Sequence, residues 1–239
     1  GSAGPAGPGG PAQPEQPIAP VPQPVTTIQG GVSQNGWLQV IDAQLCNEAG
    51  QPVALRGMSS HGLHWFPQYT NAQSIQNTAA YGANVFRVAM YTGEGGYLSQ
   101  PAAVKAQAIA AIDAAIAQDM YVILDWHILS DGSPLSHVTE AEAFFTEIAE
   151  RYQDSPALLY EICNEPNGGA TWAGDVKPYA QRVLAAIRAQ SPKAVVLIGS
   201  PTWSQDIHLA AADPVEGENL LYTLHFYAGT HGADLRSRI

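Results

Sequence analysis

Six short apolar runs recur along this chain of 239 residues and constrain its fold more than any other feature. The starts of successive runs lie 26 to 37 residues apart, and residues at helical spacing fill the intervals. Strands and helices that alternate at this spacing predict parallel strands with crossover helices, hence a doubly wound sheet or a (β/α)8 barrel. The predicted strands are 53–60, 84–91, 121–127, 158–165, 194–200 and 220–227, and the predicted helices are 71–81, 101–118, 139–152 and 172–190.

Two shorter runs, 37–40 and 44–46, precede the first repeat and are bounded by turn residues. They predict a β-hairpin that covers the bottom of a barrel. The chain has two cysteines, Cys46 in this hairpin and Cys163 in the fourth run. Their expected separation across a barrel favours free thiols over a disulfide, and the pair does not indicate a redox compartment.

Residues 1–30 differ in composition from the rest of the chain, being rich in Pro, Gly, Ala and Gln. Such a segment cannot bury apolar surface and favours extended conformations, so we predict a disordered linker followed by a catalytic domain at 31–239. The functional interpretation is a tether to an upstream module, because such linkers are frequent in secreted, extracellular enzymes built of several modules. The alternative is an ordinary disordered terminus or a cloning remnant.

The charge balance restricts the partners. The formal net charge is -11, with only 10 Lys and Arg residues, and no basic stripe is visible. Phosphate binding needs such a stripe, so nucleic acids and anionic membranes are not expected partners. No apolar run reaches the roughly 18 to 20 residues that a membrane-spanning helix needs.

Polar residues in the predicted strands occur almost entirely at alternate positions, all of the same parity within their strand. Because side chains alternate between the two faces of a strand, these residues share one face of the sheet. An unpaired buried charge is costly, so Arg87 is expected to neutralise one or more of Asp125, Glu161 and the site carboxylates. The alternative is a set of separate buried ion pairs. The residues of this parity are Arg87, Ala89 and Tyr91; Ile123, Asp125 and His127; Glu161, Cys163 and Glu165; and Thr223, His225 and Tyr227.

Glu165 stands where the fourth run ends at Pro166. The carboxyl ends of parallel strands are where ligands bind in this class of fold, so Glu165 is a candidate proton donor. The alternative is a carboxylate that only caps a turn.

Several stretches together resemble the family 5 glycoside hydrolases of clan A, and within them the bacterial endoglucanases. They are LRGMSSHG (55–62), NVFRVAMY (84–91), VILDWH (122–127), YEICNEP (160–166), TWS (202–204) and YTLHFYA (222–228). The resemblance implies a (β/α)8 barrel that hydrolyses β-1,4-glucan with retention of configuration, without a metal or other cofactor. It also makes a carbohydrate-binding module upstream of the linker a possible partner.

The resemblance also implies roles for particular residues. Glu165 resembles the acid/base, and Asn164 resembles the residue that hydrogen-bonds the sugar 2-hydroxyl. The supporting residues are Arg87, His127, His225 and Tyr227, and the sugar-binding residues are His61, Trp65, Tyr91 and Trp203. His61 and His64 lack a third ligand that would indicate zinc.

The chain also departs from the family pattern. Only six strands are predicted, so strand seven, which carries the nucleophile in the family, and strand eight are missing. Glu94 and Asp131 are loop acids that do not match the nucleophile's position. We therefore expect the isolated chain to be inactive and to associate with a missing C-terminal barrel segment. Two alternatives stay open: a non-catalytic carbohydrate-binding barrel fragment, and the same chemistry on mannan or xylan.

Overall fold

The protein is described here from a computed structural model that covers residues 29–238. Six parallel strands form one sheet in sequential order, each hydrogen-bonded to the next along the chain. Within residues 29–238, the first and last of these strands do not pair with each other, so the barrel is incomplete there. The strands are β3 (Gly57–Ser59), β4 (Val85–Tyr91), β5 (Tyr121–His127), β6 (Leu158–Glu161), β7 (Val196–Ile198) and β8 (Leu220–Tyr222).

Helices occupy the intervals between strands, as the periodicity predicts. The side chain of Asn71 caps one helix by accepting a hydrogen bond from the amide of Ser74 at 2.9 Å, and Pro101 begins the next. The helix predicted over 172–190 starts with a π-helical turn at Trp172–Val176. The helices are α1 (Val32–Asn35), α2 (Ala72–Ala80), α3 (Pro101–Ile116), α4 (Val138–Arg151), α5 (Lys177–Gln190), α6 (Ile207–Ala212) and α7 (Ala233–Arg236), with 3-10 turns at Pro67–Tyr69 and Pro134–His137.

Most of the predicted strands are too long at their carboxyl ends. β6 ends at Glu161 instead of residue 165, and β8 ends at Tyr222 instead of residue 227. The reason is that the backbone amides beyond these points leave the sheet ladder. The amide of Asn164 donates to the Trp126 carbonyl at 3.2 Å, and the amide of His225 donates to the Ser204 carbonyl at 2.9 Å.

The two faces of the sheet have different cores. The outer face packs against the helices through residues such as Val88, Trp126 and Tyr160, all fully buried. The inner face has an apolar layer only near the amino ends of the strands, where Val85 and Tyr121 lie. The upper part of the inner face is consequently left to polar residues.

The predicted hairpin is confirmed by β1 (Gln39–Ile41) and β2 (Gln44–Cys46), which pair antiparallel. Leu38, just before β1, is buried in the inner apolar layer, and the Tyr121 hydroxyl donates to the Gly36 carbonyl at 2.7 Å. The hairpin therefore covers the amino-terminal end of the sheet, opposite the polar residues.

Cys46 and Cys163 are both buried and unbridged, as predicted. The predicted linker lies almost wholly outside the described residues. No helix within 29–238 combines the length and the apolar character needed to cross a bilayer.

Candidate active site

Arg87 is the centre of the polar inner face. Its Nε and Nη2 atoms donate to the two carboxylate oxygens of Glu161 at 2.7 and 3.0 Å, and Nη2 lies 2.8 Å from Oδ2 of Asp125. The two acid side chains are at most 2% exposed. One arginine thus pairs with two adjacent buried acids, which confirms the prediction of a shared network over separate ion pairs.

The shared inner face follows from the strand register. Asp125 pairs with Ala89 on one side and with Glu161 on the other, so the two acids occupy one level of the sheet. Arg87 lies one level below and reaches upward. The Ser59 hydroxyl, opposite Arg87 in the register, accepts from its Nη1 at 3.1 Å. Sequence reasoning missed Ser59, although its parity in β3 would have identified it.

The electrostatics of this network differ between its two buried acids, which surround one permanent cation. Burial alone would raise the pKa of Glu161, but Arg87 and His225 outweigh that effect and lower the pKa to about 2. Burial also opposes the charge on Arg87, yet Asp125 and Glu161 raise its pKa above the usual range. Asp125 behaves differently, because burial and the neighbouring Glu161 raise its pKa despite the opposing effects of Arg87 and His127.

Asn164 is held by three partners. Its Oδ1 accepts from Arg87 Nη2 at 2.9 Å, while Nδ2 donates to the Ile128 carbonyl at 3.0 Å and faces His127 Nε2 at 3.2 Å. Arg87 has no acceptor, so it determines which way the amide points. His127 Nε2 must then accept, which places the ring proton on Nδ1, 2.5 Å from Asp125. The network thus assigns His127 one neutral tautomer.

The strand alternation predicted beyond Glu161 is wrong for Cys163. Cys163 is fully buried in the outer core instead of sharing the inner face with Glu161 and Glu165. The alternation of side chains between the two faces of the sheet breaks where β6 ends, because the Asn164 amide donates a hydrogen bond to the Trp126 carbonyl and not to β7. As a result, the neighbouring residues Asn164 and Glu165 both face the site.

Glu165 forms a close pair with His225. His225 Nδ1 lies 2.8 Å from Glu165 Oε1, and Nε2 of the same ring lies 3.7 Å from Glu161 Oε1. Burial alone would lower the pKa of His225, but the neighbouring carboxylates of Glu161 and Glu165 raise it to about 9. His225 is therefore a protonated bridge between the buried network and Glu165 at neutral pH.

We expect this bridge to make stability pH-dependent. Because the His225 pKa rises from 6.5 to about 9 on folding, its stabilising contribution is complete below pH 6.5 and is lost as the pH rises through 9. That contribution is on the order of 3 kcal/mol. Urea unfolding between pH 6 and 10 measures how the free energy of unfolding changes with pH, and His225→Gln should remove this pH dependence. An NMR titration of His225 that gives a pKa near 6.5 would contradict the prediction.

Three of the predicted sugar-binding residues form an aromatic cluster beside this network. The ring centroid of Tyr91 lies 4.8 Å from Trp65, 5.6 Å from His61 and 4.0 Å from His127, which it stacks against. Trp65 keeps 41% of its surface exposed. The cluster thus joins an open aromatic face to the His127 and Asn164 pair.

The remaining predicted residues line a depression of about 450 Å³ on the other side of Glu165. Trp203 is half exposed there. Tyr227, predicted to support the catalytic acid, is instead exposed, with its ring centroid 6.1 Å from that of His231, and the hydrogen-bond partner of Glu165 is His225. Gln205 also lines the depression and was missed, because nothing in its local pattern distinguishes it from a surface glutamine.

The two loop acids, Asp131 and Glu94, form hydrogen bonds within the loops. Asp131 accepts from the Thr92 hydroxyl at 2.7 Å, and Glu94 Oε1 accepts from the Ser130 amide at 3.2 Å. These bonds join the loops that follow β4 and β5. Among residues 29–238, no three His, Cys, Asp or Glu side chains lie close enough together to hold a metal ion.

Strands and helices alternate along the chain, and Glu165 with its partner His225 lies at the carboxyl ends of the parallel strands, near the exposed Trp65 and Trp203. This arrangement is typical of carbohydrate-active proteins with a (β/α)8 barrel. The sequence model of the cellulase family, glycosyl hydrolase family 5, matches residues 46–237, and the chain belongs to that family.

Curated relatives are identical to this chain at about half of the aligned positions. An endoglucanase from Clostridium saccharobutylicum is 48% identical over 208 residues, which are 87% of this chain and 46% of the relative. Endoglucanase N from Pectobacterium atrosepticum is 48% identical over 209 residues, covering 87% of this chain and 47% of the relative. The chain thus spans about half the length of these curated relatives.

Solved structures show the same fold. The catalytic domain of Thermobifida fusca endoglucanase Cel5A superposes with a TM-score of 0.83 at 39% identity, covering 87% of this chain and 72% of that domain. A variant of the same domain in complex with cellotetraose gives a TM-score of 0.84, also at 39% identity, over 87% of this chain and 70% of that one. The fold is therefore a (β/α)8 barrel, of which residues 29–238 form six strands.

Proposed function

We propose that this chain supplies the acid/base half of a retaining endo-β-1,4-glucanase. The observation that carries the proposal is the placement of Glu165. Its carboxylate opens onto the depression, is paired with His225, and adjoins Asn164, whose amide is oriented by Arg87. A proton donor at an open cleft beside an oriented amide is the arrangement that glycoside hydrolysis needs.

In the proposed reaction, Glu165 protonates the leaving oxygen and afterwards deprotonates the water that releases the product. Asn164 hydrogen-bonds the sugar 2-hydroxyl, an interaction that strengthens in the oxocarbenium-like transition state. Its Nδ2 faces His127 in the structure, so the 2-hydroxyl would share or replace that contact. Arg87, His127 and His225 hold the two residues in place.

The substrate is proposed to lie across Glu165. On one side, the exposed rings of His61 and Trp65 would bind sugars, and Tyr91, predicted as a sugar-binding residue but only 7% exposed, would support them from behind. On the other side, Trp203 with Tyr227 would bind sugars. Exposed aromatic faces offer an apolar surface to the hydrogens of a sugar ring. The cellotetraose complex of the Thermobifida fusca domain supports a glucan as the ligand.

A retaining mechanism needs a second carboxylate roughly 5 to 5.5 Å from the first. Glu94 and Asp131 are occupied by loop hydrogen bonds, so neither is proposed for this role. The nucleophile is proposed to come from a segment outside this chain, one that also completes the barrel.

We further propose that the protein acts outside the cell, because a polymeric glucan does not enter it. Residues 1–30 would then serve as a linker to an upstream carbohydrate-binding module. The composition of that segment and the names of the relatives support these proposals.

The test compares two proteins, the 239-residue chain alone and the same chain fused to the strands that complete the barrel in the Thermobifida fusca domain. We expect no reducing sugar from carboxymethylcellulose with the first and turnover with the second. NMR of the first product from cellotetraose should show the β-anomer. Glucan binding without turnover in the fusion would favour the carbohydrate-binding alternative, and turnover of mannan or xylan alone would correct the substrate.

A further inference from the structure

The segment Thr202 to Ser204, here called the left-handed turn, has an unusual backbone. Three successive non-glycine residues have φ values of 56°, 55° and 57°. Such values are uncommon for side-chain-bearing residues and are costly for a β-branched residue such as Thr202. Strain of this kind persists only where the surroundings impose it, and it clusters at functional sites.

The hydrogen bonds of the turn show what imposes it. The buried Ser204 hydroxyl donates to the Asn164 carbonyl at 2.6 Å, and the Trp203 amide donates to the Pro166 carbonyl at 3.0 Å. The Ser204 carbonyl accepts from the His225 amide at 2.9 Å. The turn therefore binds the backbone on both sides of Glu165 and the backbone of Glu165's partner.

Gly199 provides the space for this arrangement. A Cβ atom at this position would lie 2.8 Å from the Ser204 hydroxyl and 2.9 Å from the Asn164 carbonyl oxygen. Any side chain there would force apart the two groups that form the 2.6 Å bond. The close packing of Gly199, Asn164 and Ser204 leaves the hydroxyl one position, between β6 and the turn.

We propose that Ser204 is a positioning residue, whose hydroxyl and carbonyl set the distance between Glu165 and His225. The inference rests on the proposed function and extends it to a residue that touches neither substrate nor reacting atoms. Without the hydroxyl, the Asn164 carbonyl loses its donor, and the 164–166 segment can move relative to His225. A shift of 1 Å in a catalytic group can cost on the order of 100-fold in rate.

The test uses the protein that shows turnover, either this chain or this chain joined to the strands that complete the barrel. Ser204→Ala removes the hydroxyl and keeps the positive φ strain at position 204, whereas Ser204→Gly removes the hydroxyl and the strain at that position. We expect each variant to lower kcat/KM for cellotetraose by about 100-fold. The kcat/KM for an aryl cellobioside with an activated leaving group should fall much less, because that substrate needs little proton donation. Thr202→Gly relieves strain without altering the hydroxyl and is the control expected to keep full activity.

A merely conformational role predicts a different pattern. Ser204→Gly would then keep the parent activity on both substrates, and that result would overturn the proposal. Equal losses on both substrates would also overturn it. Should Ser204→Ala fail to fold, the glycine variant decides alone.

A second readout does not depend on turnover. In either Ser204 variant, separating Glu165 from His225 should lower the pKa of His225 measured by NMR toward 6.5. An unchanged pKa would contradict the proposal. If the parent protein hydrolyses no β-1,4-glucan, the proposed function fails. This titration still tests the positioning role in that case.

Discussion

Replacing Arg87 with methionine is expected to lower the free energy of unfolding by about 3 to 5 kcal/mol and to abolish turnover. Arg87 is the shared cation of Asp125 and Glu161, both buried, and methionine leaves these two charges without it. Removing one partner of a buried ion pair costs this much because the remaining charge stays desolvated. Urea unfolding followed by circular dichroism measures the loss.

Arg182→Met is the matched control. Arg182 also contacts a carboxylate through two nitrogen atoms, at 2.8 and 2.6 Å from Glu142, but its side chain is 49% exposed. An exposed pair contributes only about 0 to 1 kcal/mol, so the control should unfold almost like the parent. Similar losses in both variants would show that the stability comes from contact geometry and not from burial.

A double variant separates the charge from the packing. Adding Glu161→Gln to Arg87→Met removes one of the two unpaired acids, so it should restore part of the lost stability. Strictly additive effects would contradict the shared network, because neighbouring residues in one network are expected to couple.

The sequence predicted the polar face well because its signal is local. Arg87, Asp125 and His127 lie on strands β4 and β5, which run for seven residues in regular alternation. Parity therefore placed them correctly, and the cost of buried charge predicted that they would meet. The hairpin below them was also predictable from a local signal, two short runs at 37–40 and 44–46 bounded by turn residues.

The carboxyl end of β6 was not predictable in this way. The alternation of side chains between the two faces breaks at Cys163, because the Asn164 amide donates a hydrogen bond to the Trp126 carbonyl of the neighbouring strand. The left-handed turn was also invisible, because Thr and Ser carry no preference for positive φ. Both features depend on contacts between segments about 40 residues apart, which no local pattern records. They are also the features that position Glu165.

Changing Glu165 to glutamine should leave the fold intact and remove proton transfer. Glutamine has the same shape and can still contact His225, so the unfolding midpoint should change little. General acid catalysis contributes about 100-fold to 10,000-fold, so in the fusion that completes the barrel kcat/KM for cellotetraose should fall by that factor. The kcat/KM for an aryl cellobioside with an activated leaving group should fall far less, because the departure of that leaving group needs no proton. Glu94→Gln alters a loop acid near the site and should leave both rates unchanged.

Chemical rescue then distinguishes an acid/base from a residue that only binds. In Glu165→Ala, no carboxylate remains to activate water in the second step. Azide needs no such base, so it should restore turnover of the activated substrate and give the β-glycosyl azide, as two inversions require. An α-azide would show a single displacement, and a failure of rescue with intact folding would assign Glu165 to binding or to structure. Only the β product is compatible with Glu165 working opposite a second carboxylate, which ties the role of this residue to a nucleophile beyond the six strands described.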